Sequence, residues 1–96
     1  MIVKMILKKR HMSNMDLVRA INKVEERCGL KERTVKQNVT NFLNGYFDWG
    51  YDFTRKVEVA LELEELTLMN TLRKPKTKWE KKCYNEALEK YKVVKK

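Results

Sequence analysis

Lys31, Arg33, Lys36, Gln37, Thr40, Asn41 and Asn44 fall within one stretch of a 96-residue chain. Laid on a helix, the later members of this set face away from Val35, Val39 and Phe42. The chemistry open to them is hydrogen bonding. Lysine and arginine reach guanine acceptors, glutamine and asparagine amides both donate to and accept from adenine, and all of them reach phosphate oxygens. A plain solvated helix face has the same composition, so the spacing by itself leaves both readings open.

Bond-making chemistry is short of parts. One serine, Ser13, and one histidine, His11, sit in a basic stretch with no acidic partner beside His11. Gly29, Gly45 and Gly50 stand apart, so no glycine-rich phosphate loop exists. Cys28 and Cys83 belong to no CxxC pair and, with a single histidine, make no structural zinc set; they read as free thiols. These residues predict a protein that is not an enzyme and needs no cofactor or metal.

Charge narrows the partners. Lys and Arg number 22 against 13 Asp and Glu, a formal net charge of +9. Residues 1–12 carry +4, 13–45 carry +2, 46–72 carry −4 and 73–96 carry +7, so two basic regions flank an acidic one. An excess of this kind favours a polyanion. No apolar run approaches the roughly 18 residues of a membrane span, and the leading MIVKMIL is too short for a secretion signal, which predicts a cytoplasmic protein with no membrane partner.

The elements that must position these residues read as helices. Ile2, Val3, Ile6 and Leu7 predict a short helix ending near Arg10. Ser13 or Asn14 can cap a second, with Asp16 in its first turn, Leu17, Ile21, Val24 and Cys28 along one face, and Gly29 as its stop. A third is expected from about Lys31, burying Val35, Val39, Phe42 and Leu43 and ending at Asn44-Gly45. Residues 46–63 admit two readings. Phe47, Trp49, Tyr51 and Phe53 alternate as a hairpin strand would, giving a winged helix, while Phe53, Val57, Ala60 and Leu61 share a helical face. The helix-forming run after Val57 favours helix. No internal repeat stands out.

Pro75, in RKPKTK, places a boundary between a domain of residues 1–72 and a basic linker and tail of residues 73–96. In the tail Trp79, Cys83, Ala87 and Tyr91 recur every fourth residue, with Tyr84 and Leu88 beside them. So short an amphipathic helix is marginal alone and is expected to bury this stripe in a homodimer interface or on the core.

NVTNFLNG (Asn38 to Gly45) resembles the end of the recognition helix in the lambda-repressor and Cro-like helix-turn-helix family. LKKRHMSNMDLVRAIN (Leu7 to Asn22) is similar to that family's first helix, cap and second-helix start, and the likeness runs on through YFDWGYDFTRKVEVALELEELTL. One departure is plain. The stretch from Ile21 to Asn38 is about ten residues longer than in a compact member. The sequence accommodates it either by longer helices with a turn at Gly29-Leu30, or by taking GLKERTV (Gly29 to Val35) itself as the turn and helix start. One alignment brings Lys31, Glu32 and Arg33 to the reading face and the other Thr40 and Asn41, with Lys36 and Gln37 near it in both.

The resemblance, over about residues 3–70, implies an all-α bundle of about five helices with a helix-turn-helix, to which the stripe spacing adds the C-terminal helix. It implies a small repressor-like regulator that reads double-stranded DNA through Arg33, Lys36, Gln37, Thr40 and Asn41, with Asn14, Lys31 and Asn44 on phosphates. The rival readings are a phage-encoded inhibitor of a nucleic-acid enzyme (anti-CRISPR-like) on the same scaffold, and charge-driven binding of RNA or any nucleic acid. A protein partner would use the aromatic loop 46–53 or the C-terminal helix.

Overall fold

Side chains that capture backbone N–H groups mark the helix starts at Ser13, Val35 and Thr77. The computed structural model describes residues 2–45, 50–64, 67–68 and 75–91. Among these the chain is all-α, with no strand and five helices of eight residues or more: α1 (Ile2–Lys9), α2 (Asn14–Arg27), α3 (Lys36–Asn44), α4 (Tyr51–Ala60) and α5 (Lys78–Lys90). Residues 51–60 are helical, so the hairpin and winged-helix alternative falls there, and its first part, residues 46–49, lies outside the described residues. The helices pack as two units, residues 1–49 and 50–96. Pro75 lies two residues before the cap of α5.

In the first unit Ser13 caps α2. Its hydroxyl accepts from the Asp16 N–H at 3.1 Å, and the Asp16 carboxylate accepts from the Ser13 N–H at 2.8 Å. Two orphan donors of the helix end are thereby satisfied. The hydrogen bonds from Ser13, with Arg19 at 3.1 Å, hold the Asp16 carboxyl below its ordinary value. Leu17, Val18, Ile21 and Val24 bury one side of α2, and Val39, Phe42 and Leu43 bury one side of α3, which packs on α2. Fully burying each such aliphatic or aromatic side chain favours folding by roughly 1.5–3 kcal/mol.

The helix expected from Lys31 starts five residues later, at Lys36. The cause is Glu25, a carboxylate only 2% exposed. Its Oε1 accepts the Thr34 N–H at 2.8 Å and its Oε2 accepts the Thr34 hydroxyl at 3.0 Å. Turned toward them, the Asn22 amide nitrogen donates to Glu25 Oε1 at 2.8 Å and to the Thr34 carbonyl at 3.0 Å. A Thr34 N–H held by Glu25 is not available to a helical carbonyl, and the β-branched Thr34-Val35 pair has little preference for helix. Val35 is therefore the N-cap of α3 and is 55% exposed rather than buried. Its own N–H donates to Asn38 Oδ1 at 3.1 Å.

In the second unit α4 and α5 pack together. Tyr51 meets Tyr84 edge-on at 6.4 Å between ring centres, and Ala87 completes the cluster with Cys83 and Leu88 at its margin. Glu80 closes a capping box with Thr77 and also accepts the Tyr51 hydroxyl at 2.8 Å, so one carboxylate starts α5 and ties it to α4. At the far end Asp52 accepts the Tyr91 hydroxyl at 2.9 Å and the Lys90 ammonium at 3.1 Å.

The second unit repeats a device of the first. Glu58 is fully buried, its Oε2 accepts the Leu68 N–H at 2.7 Å, and its Oε1 meets Arg55 at 3.3 Å. The two segments share some sequence as well. Six of the thirteen positions in residues 22–34 recur in residues 55–67, among them Lys23-Val24-Glu25 as Lys56-Val57-Glu58.

Candidate nucleic-acid interface

The α3 side opposite Val39, Phe42 and Leu43 carries Lys36 and Gln37, both exposed, the half-buried Thr40 and Asn41, and the exposed Asn44. Gln37 and Asn41 are one turn apart, and the Gln37 amide donates to Asn41 Oδ1 at 2.9 Å. That contact leaves Gln37 Oε1 and the second amide hydrogen of Nε2 for a further partner. At the other end Lys4 of α1 donates to Asn44 Oδ1 at 3.2 Å. The contact brings a basic face of α1, on which Lys8 follows Lys4 by one turn, beside the polar face of α3.

The remaining expected site residues divide. Lys31 and Arg33 are exposed but lie on the α2–α3 loop, not on a helix. Arg33 turns back on its own loop, its guanidinium donating to the Leu30 carbonyl and, at 3.3 Å, to that of Glu32. Asn14 is the first residue of α2, half-buried, while the cap itself is Ser13. The structure thus gathers Lys36, Gln37, Thr40, Asn41 and Asn44 on one helix, with Lys31 and Arg33 on the loop before it and Asn14 on α2.

Of the tail stripe, Tyr84, Ala87 and Tyr91 are buried and Cys83 and Leu88 half-buried, but Trp79 is 68% exposed. Trp79 stands in the first turn of α5, its ring facing the Lys82 ammonium at 5.6 Å. In the aromatic segment 46–53, Tyr51 and Phe53 are buried, which removes them as exposed partner surface, and residues 46–49 fall outside the described set. Cys28 and Cys83 are free thiols. Among the described residues no three His, Cys, Asp or Glu side chains form a metal cluster, and no helix is long and apolar enough to cross a membrane.

Two contributors escaped the sequence. Lys4 is tied to the α3 face by a contact forty residues away along the chain, for which local spacing holds no signal. Val35 fits an apolar helical stripe, and only the capture of Thr34 by Glu25 turns it outward. Comparison with protein-family models, curated proteins and solved structures gives no match.

Proposed function

We propose that this chain is a sequence-specific double-stranded DNA-binding protein, a small repressor-like regulator that lays α3 in the major groove. The observation that carries the reading is the Lys4–Asn44 contact at 3.2 Å, which joins the basic side of α1 to the amide-rich side of α3. Lys36, Gln37 and Asn41 then meet base edges, with Gln37 suited to adenine. Lys4, Lys8 and Asn44 meet phosphate, which sets position and register rather than sequence. The eight-residue connection from Cys28 to Val35 is longer than the 3–4-residue turn usual for a helix-turn-helix.

The net charge of +9 supports the same partner and gives the reading a salt signature. Affinity is expected to fall with a log–log slope of about −0.9 per phosphate neutralised. Selection from a random duplex library near physiological salt tests the proposal. Enrichment of a defined site with that salt dependence supports it, and retention of every duplex alike contradicts it.

A further inference from the structure

We infer that Val35 reads a thymine methyl group in the DNA site proposed for α3, an inference that rests on that reading and sharpens it. Val35 is 55% exposed, an unusual place for an isopropyl group with Lys36 and Gln37 exposed immediately after it. Its placement is held from both sides. The preceding Thr34 is fixed inward by two hydrogen bonds to the buried Glu25, and the Val35 N–H is held by Asn38 Oδ1 at 3.1 Å. The Val35 backbone is extended, with φ −109° and ψ 165°, and beside a Thr34 anchored inward its side chain is turned outward. Its χ1 is also restricted by β-branching, so little rotamer freedom remains to lose on contact.

On the base edges of the major groove the thymine C5-methyl is the one apolar protrusion. A fixed isopropyl group at the amino end of the inserted helix has no hydrogen bond to offer and gains only from covering such a methyl. Gln37 and Val35 then divide the work: Gln37 reads adenine by paired hydrogen bonds, and Val35 reads a nearby thymine by contact. The enriched site is expected to hold a thymine at a position where cytosine, which presents an amino group and no methyl, is excluded.

The test replaces each thymine of the enriched duplex singly by uracil, which removes the C5-methyl and leaves every hydrogen-bonding group in place. Dissociation constants are measured for the wild type, Val35→Ala and Val35→Thr. One uracil position is expected to weaken the wild type about fourfold, the worth of one buried methyl. Val35→Ala should bind the thymine duplex more weakly and show no further loss with uracil, while Val35→Thr, which keeps one methyl, should fall between. Equal sensitivity of wild type and Val35→Ala to uracil at every position overturns the inference while leaving α3 as the reader. No enriched site, or an enriched site bound equally well by Gln37→Ala, overturns the reading of α3 and this inference with it. An unchanged melting temperature for Val35→Ala, expected for an exposed side chain, keeps these outcomes separate from misfolding.

Discussion

The ends of α2 and α4 are built alike and held differently. Each closes with a six-residue backbone ring, the Leu30 N–H donating to the Glu25 carbonyl and the Leu63 N–H to the Glu58 carbonyl, both at 2.9 Å. A second bond, from Gly29 to Glu26 and from Glu62 to Val59, completes the same left-handed cap. The glutamate that accepts the first bond then uses its buried carboxylate to catch the chain again, at Thr34 in one case and Leu68 in the other. The partners three residues upstream differ: Asn22 stands beside Glu25, and Arg55 beside Glu58. One lock is made with amide and hydroxyl donors, the other with a buried ion pair. The first sets the start of α3, the helix proposed to read DNA.

The largest effect should come from breaking the ionic lock. Glu58→Gln keeps an acceptor for Leu68 but removes the carboxylate charge beside Arg55, where both side chains are at most 2% exposed. Loss of one member of a buried pair costs about 3–5 kcal/mol. Glu25→Gln retains one acceptor and turns an amide N–H₂ toward Thr34, a loss of about 1–3 kcal/mol. Urea denaturation of both variants checks the ordering, and equal losses would mean that Arg55 does not distinguish the two locks.

A smaller difference lies in the caps. Gly29 and Glu62 hold the same left-handed position, at φ of 72° and 56°. Glycine takes this conformation without strain, whereas a side chain costs roughly 1–2 kcal/mol there. Gly29→Ala should therefore destabilise by about that amount, and Glu62→Gly should stabilise by less than about 1 kcal/mol, because glycine also loosens the unfolded chain. Thermal melts that move in the same direction for both would remove the contrast.

The smallest expected effect is a pH dependence at the start of α2. The Asp16 carboxyl is held below its ordinary value of 3.8, first by the Ser13 N–H, then by the Ser13 hydroxyl and Arg19. A depressed carboxyl adds stability that is complete above the ordinary value and is lost as pH falls through the lowered one. Acid titration should show Asp16→Asn losing less stability than the wild type over that window, and parallel acid curves would contradict the assignment.

These contrasts also explain what was legible in the sequence. The cap of α2 could be read because Ser13 and Asp16 act locally, over one turn, and the apolar stripe of α2 because its spacing is that of an isolated helix. Trp79 shares the stripe's spacing but not its burial, because spacing cannot tell which end of a stripe runs past its partner; Tyr84 and Ala87 reach Tyr51, and Trp79 does not share that cluster. The start of α3 is not legible locally because it depends on a carboxylate nine residues upstream that competes with the helix for one N–H. Glu25 and Glu58 look like surface glutamates in helical runs, and only the recurrence of Lys-Val-Glu with a later leucine and threonine hints at their burial. The face formed by Lys36, Gln37, Thr40, Asn41 and Asn44 was legible residue by residue, but its neighbour Lys4 was not.

The central claim is that α3 reads base sequence, and Gln37 tests it most directly. Gln37 is exposed, so Gln37→Ala should change stability by no more than about 0.5 kcal/mol. Dissociation constants for wild type and variant are compared on the enriched duplex and on random duplex at one salt concentration. The account predicts a loss on the order of 1–3 kcal/mol on the enriched site and little change on random DNA. Equal losses on both duplexes, or none on either, would contradict it.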